Sequence, residues 1–373
     1  MYLHERLANE LQKRKESKNY RQLSVKSGLL DFTSNDYLGL AHNQELKDNI
    51  HNTDKELLNG SGGSRLLSGN TLQIEQTEAY LAQLFECEST LVFQSGYMAN
   101  LALFSTLPQR GDTVLYDELS HACIKDGIRL SLATKYSFRH NDLDDLSQKL
   151  KKSSGQVFIA VESVYSMDGD HCSLKDLVAL AGNYDAKIIL DEAHATGLMG
   201  KHGGGLSMLL EQHTNILARV YTFGKAMGVH GAAIAGSSLL KEYLVNYARP
   251  FIYTTAPSPH AVSAIDESFR YLNRNIHLQT QISKKIQLFK ELFKQKCDDK
   301  FTSTSSQHAI QALIVPGNEN AIKTSIHLAN KGFDVRPILS PTVKKGSERI
   351  RICLHTYNSS EDISRLIDSL ADL

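Results

Sequence analysis

The chain has 373 residues, of which 41% are hydrophobic, and its 41 basic side chains balance its 41 acidic ones. This length is enough for one large domain and a smaller one with buried cores, and the composition excludes a disordered chain. The zero net charge argues against a broad basic surface for nucleic acid or an anionic membrane, although it leaves room for a local phosphate pocket.

The cysteines and the N-terminal residues indicate in which cellular compartment the protein is expected. The five cysteines are odd in number and include no CxxC pair, so the sequence predicts neither a disulfide framework nor a structural zinc site. The N-terminal residues lack the apolar segment of a signal peptide, and no apolar run reaches membrane-spanning length. We therefore expect a cytoplasmic protein with no metal, whose thiols stay reduced.

The first predicted element is an amphipathic helix over residues 1–24, where leucines recur every four residues. A short strand and a turn follow at residues 28–40. A Gly/Ser-rich stretch at 59–70 then precedes a helical pattern that runs to about Phe85.

Short apolar runs alternate with helical patterns in the middle of the chain. Each run is rich in β-branched or aromatic residues and ends at polar residues or glycine. The runs are Thr90–Phe93, Thr113–Tyr116, Val157–Val161, Lys187–Leu190, Arg219–Phe223 and Ala232–Ala235. This alternation predicts an α/β fold, with a mostly parallel sheet and helices on both faces.

The pattern of alternating apolar runs and helical segments changes after residue 270. A Lys-rich helix at Ile282–Lys296 leads into strands at Ala309–Ile314 and Arg349–Leu354, which predicts a smaller α+β domain. The expected division is an N-terminal segment (1–45), a large domain (46–270) and a small C-terminal domain (271–373).

Polar residues follow four of the predicted strands, at Ser95-Gly96, Glu162, Asp191 and Lys225. In open α/β sheets the ligand lies outside the carboxyl ends of the strands. These four strand ends are therefore expected to meet at one site.

Lys225 stands in TFGKAMG, directly after a strand and among small residues that let a ligand approach. This is typical of a lysine that forms a Schiff base, although a surface loop lysine is an equal alternative from the motif alone. Asp191 ends a strand in KIILDEAHATG, and a buried aspartate needs a cationic partner such as a pyridinium nitrogen. A plain helix-capping aspartate is the simpler interpretation.

The letters DEAH also occur in helicases, where they bind ATP. That interpretation requires a GxxxxGK[ST] loop upstream, which the sequence lacks, and the chain has no basic bias.

The other candidate residues are weaker when each is taken alone. Ser95-Gly96 opens a helix and fits a phosphate, with Thr222 as a second donor, but Ser95 also suits an ordinary N-cap. His121 and His194 could contact an aromatic ring, and Ser166 could donate to it, although packed histidines and turn serines are common. Arg351 lies in an alternating strand and suits a carboxylate, if it points inward.

Together these residues carry a family resemblance over nearly the whole chain. The matching stretches are SNDYLGL (34–40), GSGGSRLLSG (60–69), SGYMAN (95–100), ELSHACI (118–124), VESVYSMDGD (161–170), DEAHATG (191–197), TFGKAMGVHGAA (222–233) and RIRI (349–352). In this order and spacing the chain resembles the α-oxoamine synthases, a branch of the fold-type I enzymes that depend on pyridoxal 5'-phosphate (PLP). The resemblance implies an aspartate-aminotransferase-like fold.

The resemblance also implies roles for individual residues. Lys225 would form the Schiff base, Asp191 would pair with the pyridinium nitrogen, and His121 would stack on the ring. His194 and Ser166 would contact its phenolic oxygen. The cofactor phosphate would be held by Ser95, Gly96, Tyr97, Thr222, Thr254 and Thr255, the two last supplied by the partner subunit of a homodimer.

Substrate contacts are implied for Arg21, Asn35, His121, Thr342 and Arg351. Leu339 departs from the family, since some relatives carry an arginine there. The implied reaction joins an amino acid to an acyl-CoA or acyl-carrier-protein thioester with loss of CO₂. GSGGSR and DEAHATG favour L-alanine and a pimeloyl thioester. A relative that uses glycine and acetyl-CoA, and a non-catalytic partner subunit, are the alternatives.

Overall fold

The computed structural model describes residues 2–23, 25, 28–53, 57–211 and 215–373. Its α-helices are α1 (Leu3–Glu16), α2 (Gln44–Thr53), α3 (Leu72–Leu84), α4 (Gly96–Thr106), α5 (Ala122–Leu130), α6 (Leu143–Leu150), α7 (Leu174–Gly182), α8 (Ser238–Tyr247), α9 (Arg249–Ile252), α10 (Pro259–Arg274), α11 (His277–Lys296), α12 (Asn318–Asn330) and α13 (Ser360–Ala371). Its strands are β1 (Leu30–Asp31), β2 (Ser89–Phe93), β3 (Thr113–Asp117), β4 (Thr134–Phe138), β5 (Val157–Glu162), β6 (Lys187–Asp191), β7 (Ile216–Thr222), β8 (Ala232–Gly236), β9 (Thr302–Ser303), β10 (Ile310–Ile314), β11 (Phe333–Asp334), β12 (Arg336–Ile338) and β13 (Arg349–Cys353).

The chain divides into two compact units. The larger, which we call the sheet unit, comprises Asp36–Ser166 and His171–Thr280. The C-terminal unit comprises Met1–Asn35, Met167–Asp170 and Gln281–Leu373. The domain limits expected at residues 45 and 270 stay a prediction.

The sheet unit contains a seven-stranded sheet in the order β2-β8-β7-β6-β5-β3-β4. β8 runs antiparallel to both its neighbours, and the other strands are parallel. The carboxyl ends of β2, β5, β6 and β7 therefore share one edge. The predicted fold class is confirmed.

Both faces of the central strands of this sheet are buried. All six residues of β5 are buried, as expected for a central parallel strand covered on both sides. Ile189 packs into an apolar cluster with α4, α5 and α8. Its neighbours Ile188 and Leu190 point the other way, into a cluster with α6 and α7. The alternation of strand side chains thus fixes the helix layers.

The C-terminal unit has a four-stranded antiparallel sheet, β12-β13-β10-β9, and a separate parallel pair, β1 and β11. All five residues of β13 are buried. The smaller α+β part expected from the sequence is confirmed.

The N-terminal helix is shorter than the helix that the sequence predicts over residues 1–24. It ends at Glu16 and buries none of its residues, and Leu3, Leu7 and Leu11 are about half exposed. Met1 and Ser24, within the predicted range, lie outside the described residues. In the part of the chain that the structure describes, no helix has the length and apolar character needed to cross a membrane.

Candidate active site

A cavity of about 240 Å³ opens at the carboxyl edge of the seven-stranded sheet. The strand-end residues Ser95-Gly96, Glu162, Asp191 and Lys225 all line it. The complete lining is Ser95, Gly96, Tyr97, Asn100, His121, Cys123, Glu162, Asp191, Ala193, His194, Thr222, Gly224, Lys225, His230 and Gly231. The structure therefore brings eight of the predicted site residues together.

Lys225 lies in the loop between β7 and β8 and is half buried. The Phe223 amide donates to the Gly231 carbonyl at 2.9 Å, and the Gly228 amide donates to the Lys225 carbonyl at 2.9 Å. These bonds close the loop against the sheet edge. The amine is thus carried by a tight turn rather than by a long surface loop.

Asp191 is the last residue of β6 and is only 5% exposed. The Ala193 amide donates to its Oδ1 at 2.9 Å, and the Asn100 side-chain amide donates to its Oδ2 at 2.7 Å. The nearby His194 is buried, and its Nδ1 hydrogen-bonds the Tyr37 hydroxyl at 2.8 Å. Both side chains are therefore oriented by the protein before any ligand arrives.

The Ser95-Gly96 turn begins α4. Ser95 Oγ accepts the Met98 amide at 3.4 Å, as an N-cap does. A Cβ added to Gly96 would lie 2.2 Å from Thr222 Cγ2, so only glycine lets the turn pack this closely on β7. The start of an eleven-residue helix, beside a threonine hydroxyl, is suited to an anion.

His121 and Glu162 form the side of the cavity next to β5. The His121 backbone amide donates to Glu162 Oε1 at 2.6 Å. Burial and the Asp191 carboxylate raise the pKa of Glu162 to about 8. Burial lowers the pKa of His121; the Asp191 charge opposes this shift and the Lys225 charge adds to it. Both groups are therefore neutral near pH 7.

These residues fit PLP. The cavity offers an amine for the aldehyde, an oriented carboxylate for the ring nitrogen, and a helix start with a hydroxyl for the phosphate. The Gly96 turn is a cradle that a Cβ would fill. In the residues that the structure describes, no cluster of three or more acidic, histidine or cysteine side chains could hold a metal ion.

Some expected residues do not line this cavity. Ser166 is half buried after β5. Thr254 and Thr255 follow α9, where Gln94 Nε2 donates to Thr254 Oγ1 at 3.4 Å and to the Thr255 carbonyl. Gln94 directly precedes the Ser95-Gly96 turn, so both threonines contact the residue before this turn without lining the cavity.

Before these threonines, the adjacent Phe251, Ile252 and Tyr253 predict from the sequence an interface core between two chains, with a loop buried within one chain as the alternative. For Phe251 that expectation is wrong, because its ring is 4% exposed and lies edge-on to Phe93 within its own chain, with centroids 5.6 Å apart. Tyr253 behaves differently, since 73% of it is exposed. The Arg249 guanidinium lies over the Tyr253 ring, 5.0 Å from the ring centroid.

Four of the five expected substrate residues, Arg21, Asn35, Thr342 and Arg351, lie in the C-terminal unit. Arg351 is 9% exposed, and its Nη2 donates to Asn35 Oδ1 at 3.0 Å. Arg21 and Thr342 are both exposed. Thr342 donates its backbone amide to the Leu339 carbonyl at 2.9 Å. The structure therefore pairs Asn35 with Arg351.

The residues of the cavity and its surroundings that the sequence analysis left out include Tyr37, Asn100 and Cys123. Each stands within one of the quoted stretches, but its residue type alone does not distinguish it from a core or surface residue. Only the tertiary contacts with His194, Asp191 and His121 single them out.

The fold and the cavity define a PLP-dependent enzyme of fold type I. The family model for "Aminotransferase class I and II" matches residues 27–370. An 8-amino-7-oxononanoate synthase from Chromobacterium violaceum is 39% identical over 344 residues, which cover 91% of this chain and 88% of the relative.

Solved structures agree. An 8-amino-7-oxononanoate synthase from Francisella tularensis superposes with a TM-score of 0.80 at 29% identity, covering 93% of this chain and 98% of that one. A serine palmitoyltransferase from S. paucimobilis, with a PLP–myriocin adduct bound, gives a TM-score of 0.90 at 25% identity, covering 100% of this chain and 98% of that one. The chain belongs to the α-oxoamine synthases, and among them it is similar to 8-amino-7-oxononanoate synthase.

Proposed function

We propose that the protein condenses L-alanine with a pimeloyl thioester, as CoA ester or carrier-protein form, to give 8-amino-7-oxononanoate, the free thiol and CO₂. This reaction belongs to biotin biosynthesis. The observation that carries the proposal is the joint presence of Lys225 and Asp191 in one cavity, in a chain similar to synthases of that name. PLP, when bound, supplies an aldehyde for the amino acid and a ring that accepts electrons.

Four residues of the cavity have proposed roles in this reaction. Lys225 removes the proton from the α-carbon of the amino acid. With PLP bound, Asp191 would keep its ring nitrogen protonated, His194 would contact its phenolic oxygen, and His121 would cover the ring face. A carbon–carbon bond then forms to the thioester carbonyl, the thiol leaves, and the amino-acid carboxyl departs as CO₂ while a proton takes its place.

Arg351 and Asn35 are proposed to bind the amino-acid carboxylate. A buried guanidinium needs an anion or several acceptors, and Asn35 Oδ1 and Cys353 Sγ each accept from one of the five N–H donors of Arg351. Asn35 also holds the guanidinium plane, which favours bidentate binding of a carboxylate.

The far end of the acyl chain is assigned to Arg21 and Thr342. The Asn19 side chain, two residues before Arg21, donates to the Ser340 carbonyl at 3.2 Å. This contact holds the segment of Arg21 beside the turn of Thr342, within the C-terminal unit. Leu339, in the same turn, offers no charge to a terminal carboxylate, so Arg21 is the cation proposed for it.

The test is a turnover matrix with PLP-loaded protein. L-alanine and glycine are each paired with acyl-CoAs from acetyl to pimeloyl and with the pimeloyl carrier protein, and the amino ketone is identified by mass spectrometry. The expected best pair is L-alanine with a pimeloyl thioester. Preference for glycine with acetyl-CoA would assign the protein to the related synthase instead.

The non-catalytic alternative is separated by the same matrix. Protein that binds PLP but turns over no pair would be a partner subunit. The matched control is Lys225→Ala, which must lose turnover with the best pair. We further propose a homodimer, with Thr254 and Thr255 serving the partner's phosphate site, and a cytoplasmic location, which suits five cysteines that form no disulfide among the described residues.

A further inference from the structure

His121 and Asp191 are each held by a residue to which the proposed function gives no role. Asn100, buried in α4, donates its side-chain amide to Asp191 Oδ2 at 2.7 Å. Cys123, buried in the first turn of α5, lies against His121. Both holding residues line the cavity.

Cys123 fixes the tautomer of His121. The Cys123 backbone amide donates to His121 Nδ1 at 3.2 Å, because His121 is the N-cap of α5. An amide N–H can only donate, so Nδ1 must present its lone pair. The proton of the neutral imidazole therefore lies on Nε2.

The Cys123 thiol adds a second donor. Its sulfur lies 2.9 Å from His121 Nδ1. Burial holds the pKa of this thiol well above its ordinary value, and the Asp191 and Glu162 carboxylates add to the effect. The thiol therefore keeps its hydrogen and can donate it to Nδ1.

Asn100 joins the two contacts. Its side chain also lies beside the Cys123 thiol, where it opposes the effect of burial on the thiol pKa. Asn100 is therefore next to both Asp191 and Cys123. The Asn100 carbonyl oxygen is buried with no hydrogen-bond partner among the described residues. An asparagine with one idle oxygen indicates that this position is occupied for its N–H donors.

We propose that Asn100 and Cys123 are positioning residues that form one hydrogen-bonded layer beneath the cavity, orienting Asp191 for the cofactor and fixing His121 as an Nε2–H donor. The inference deepens the proposed function, because it rests on Asp191 and His121 facing PLP. It does not depend on which acyl thioester is used.

The test measures the cofactor site without acyl substrate. PLP affinity of the apoprotein is determined for Asn100→Leu, which keeps the volume but cannot donate, and for Cys123→Ala, Cys123→Ser and the Asn100→Leu/Cys123→Ala double variant. The His121 tautomer is read from ¹⁵N NMR of the apoprotein. Cys297→Ala is the matched control, since its buried thiol donates to the Ile367 carbonyl at 3.6 Å and does not line the cavity.

Asn100→Leu is expected to weaken PLP binding roughly tenfold, because a hydrogen bond to a charged group is lost. Cys123→Ala loses the thiol but keeps the backbone amide that donates to Nδ1, so the Nε2–H tautomer should stay the major form with a smaller share. Cys123→Ser, which retains a side-chain donor, should restore the wild-type share. The double variant should lose less affinity than the product of the two single losses.

Three results would contradict the proposed hydrogen-bonded layer. The first is wild-type PLP affinity in Asn100→Leu, and the second is an unchanged share of the His121 Nε2–H tautomer in Cys123→Ala. The third is a double variant whose loss of PLP affinity equals the product of the two single losses. If Asn100→Leu fails to fold, Asn100→Ala gives the same affinity measurement. Failure of the proposed function, by contrast, would appear as absent turnover with normal affinities and tautomer shifts.

Discussion

Glu162 and Asp191 end neighbouring parallel strands and are paired directly across them, so that both carboxyl groups line one cavity. Two carboxyl groups in a buried site do not both ionise readily. Asp191 accepts two N–H donors, whereas Glu162 accepts one, from His121. The proton therefore resides on Glu162, whose pKa burial raises to about 8.

This assignment predicts how stability depends on pH. The pKa of Glu162 rises from 4.5 to about 8 on folding, so the folded chain binds the proton more tightly than the unfolded one. The free energy of unfolding should fall as the pH rises through this interval. Glu162→Gln removes this contribution and should retain more stability at the alkaline end.

The measurement is urea unfolding of the apoprotein across that pH range. Glutamine keeps an acceptor for the His121 amide, so the folded structure is preserved at low pH. Parallel stability profiles for the two proteins would show that Glu162 ionises normally.

The second prediction concerns the cofactor link. Purified protein should be yellow, and borohydride reduction should attach the pyridoxyl group to Lys225, because its amine lies in the cavity with Asp191. Peptide mapping by mass spectrometry gives the position. Label on Lys187 or Lys241, which form ion pairs with Asp185 and Glu78, would contradict the assignment.

The third prediction concerns the phosphate cradle. Gly96→Ala places a Cβ against Thr222 Cγ2, and overpacking of this kind costs about 1–3 kcal/mol. PLP affinity should therefore fall roughly tenfold or more. Thr222→Ser removes the obstructing methyl group but keeps the hydroxyl, so the double variant should recover affinity in a titration of the apoprotein. Without such recovery, the loss would have another cause than this contact.

The fourth prediction concerns the electron-accepting ring. Asp191→Asn should still bind PLP, but proton removal from L-alanine should slow on the order of a hundredfold or more, since an amide cannot hold the ring nitrogen protonated. Exchange of the alanine α-proton with deuterium, without acyl thioester, measures this step. Asp191→Glu keeps the charge and should be less severe. Exchange at the wild-type rate in Asp191→Asn would make the residue structural.

Much of the fold follows from local pattern. The buried parallel strands stand out because both faces are covered, so that β5 is almost wholly apolar and β6 has three consecutive apolar residues between its ends. β4 escaped prediction because four of its five residues are exposed at the sheet edge. α1 was predicted too long, since no burial marks its end.

The site was predictable where a residue type is itself diagnostic. Lys225 and Asp191 follow strands, and topology alone brings strand ends together. The residue type of Asn100 is not diagnostic, because its proposed role depends on its contact with Asp191, which is 91 residues away in the sequence. The prediction that Phe251 lies in an interface core failed for a related reason. An apolar run in the sequence does not show whether it is buried within one chain or between two chains.

The last prediction is that each active site is shared by two chains. Thr254 and Thr255 contact Gln94, the residue before the Ser95-Gly96 turn, and neither lines the cavity, while the neighbouring Tyr253 is largely exposed. A segment that presents hydroxyl and aromatic groups outward is suited to a partner subunit. Lys225→Ala and the Thr254→Ala/Thr255→Ala double variant should each be inactive alone. Mixed dimers would then contain one site with both defects and one with neither, so activity should return after dissociation and reassociation. Two Lys225→Ala preparations mixed together are the control. If activity stays absent although subunit exchange is demonstrated by native mass spectrometry, the threonines serve the phosphate site of their own chain.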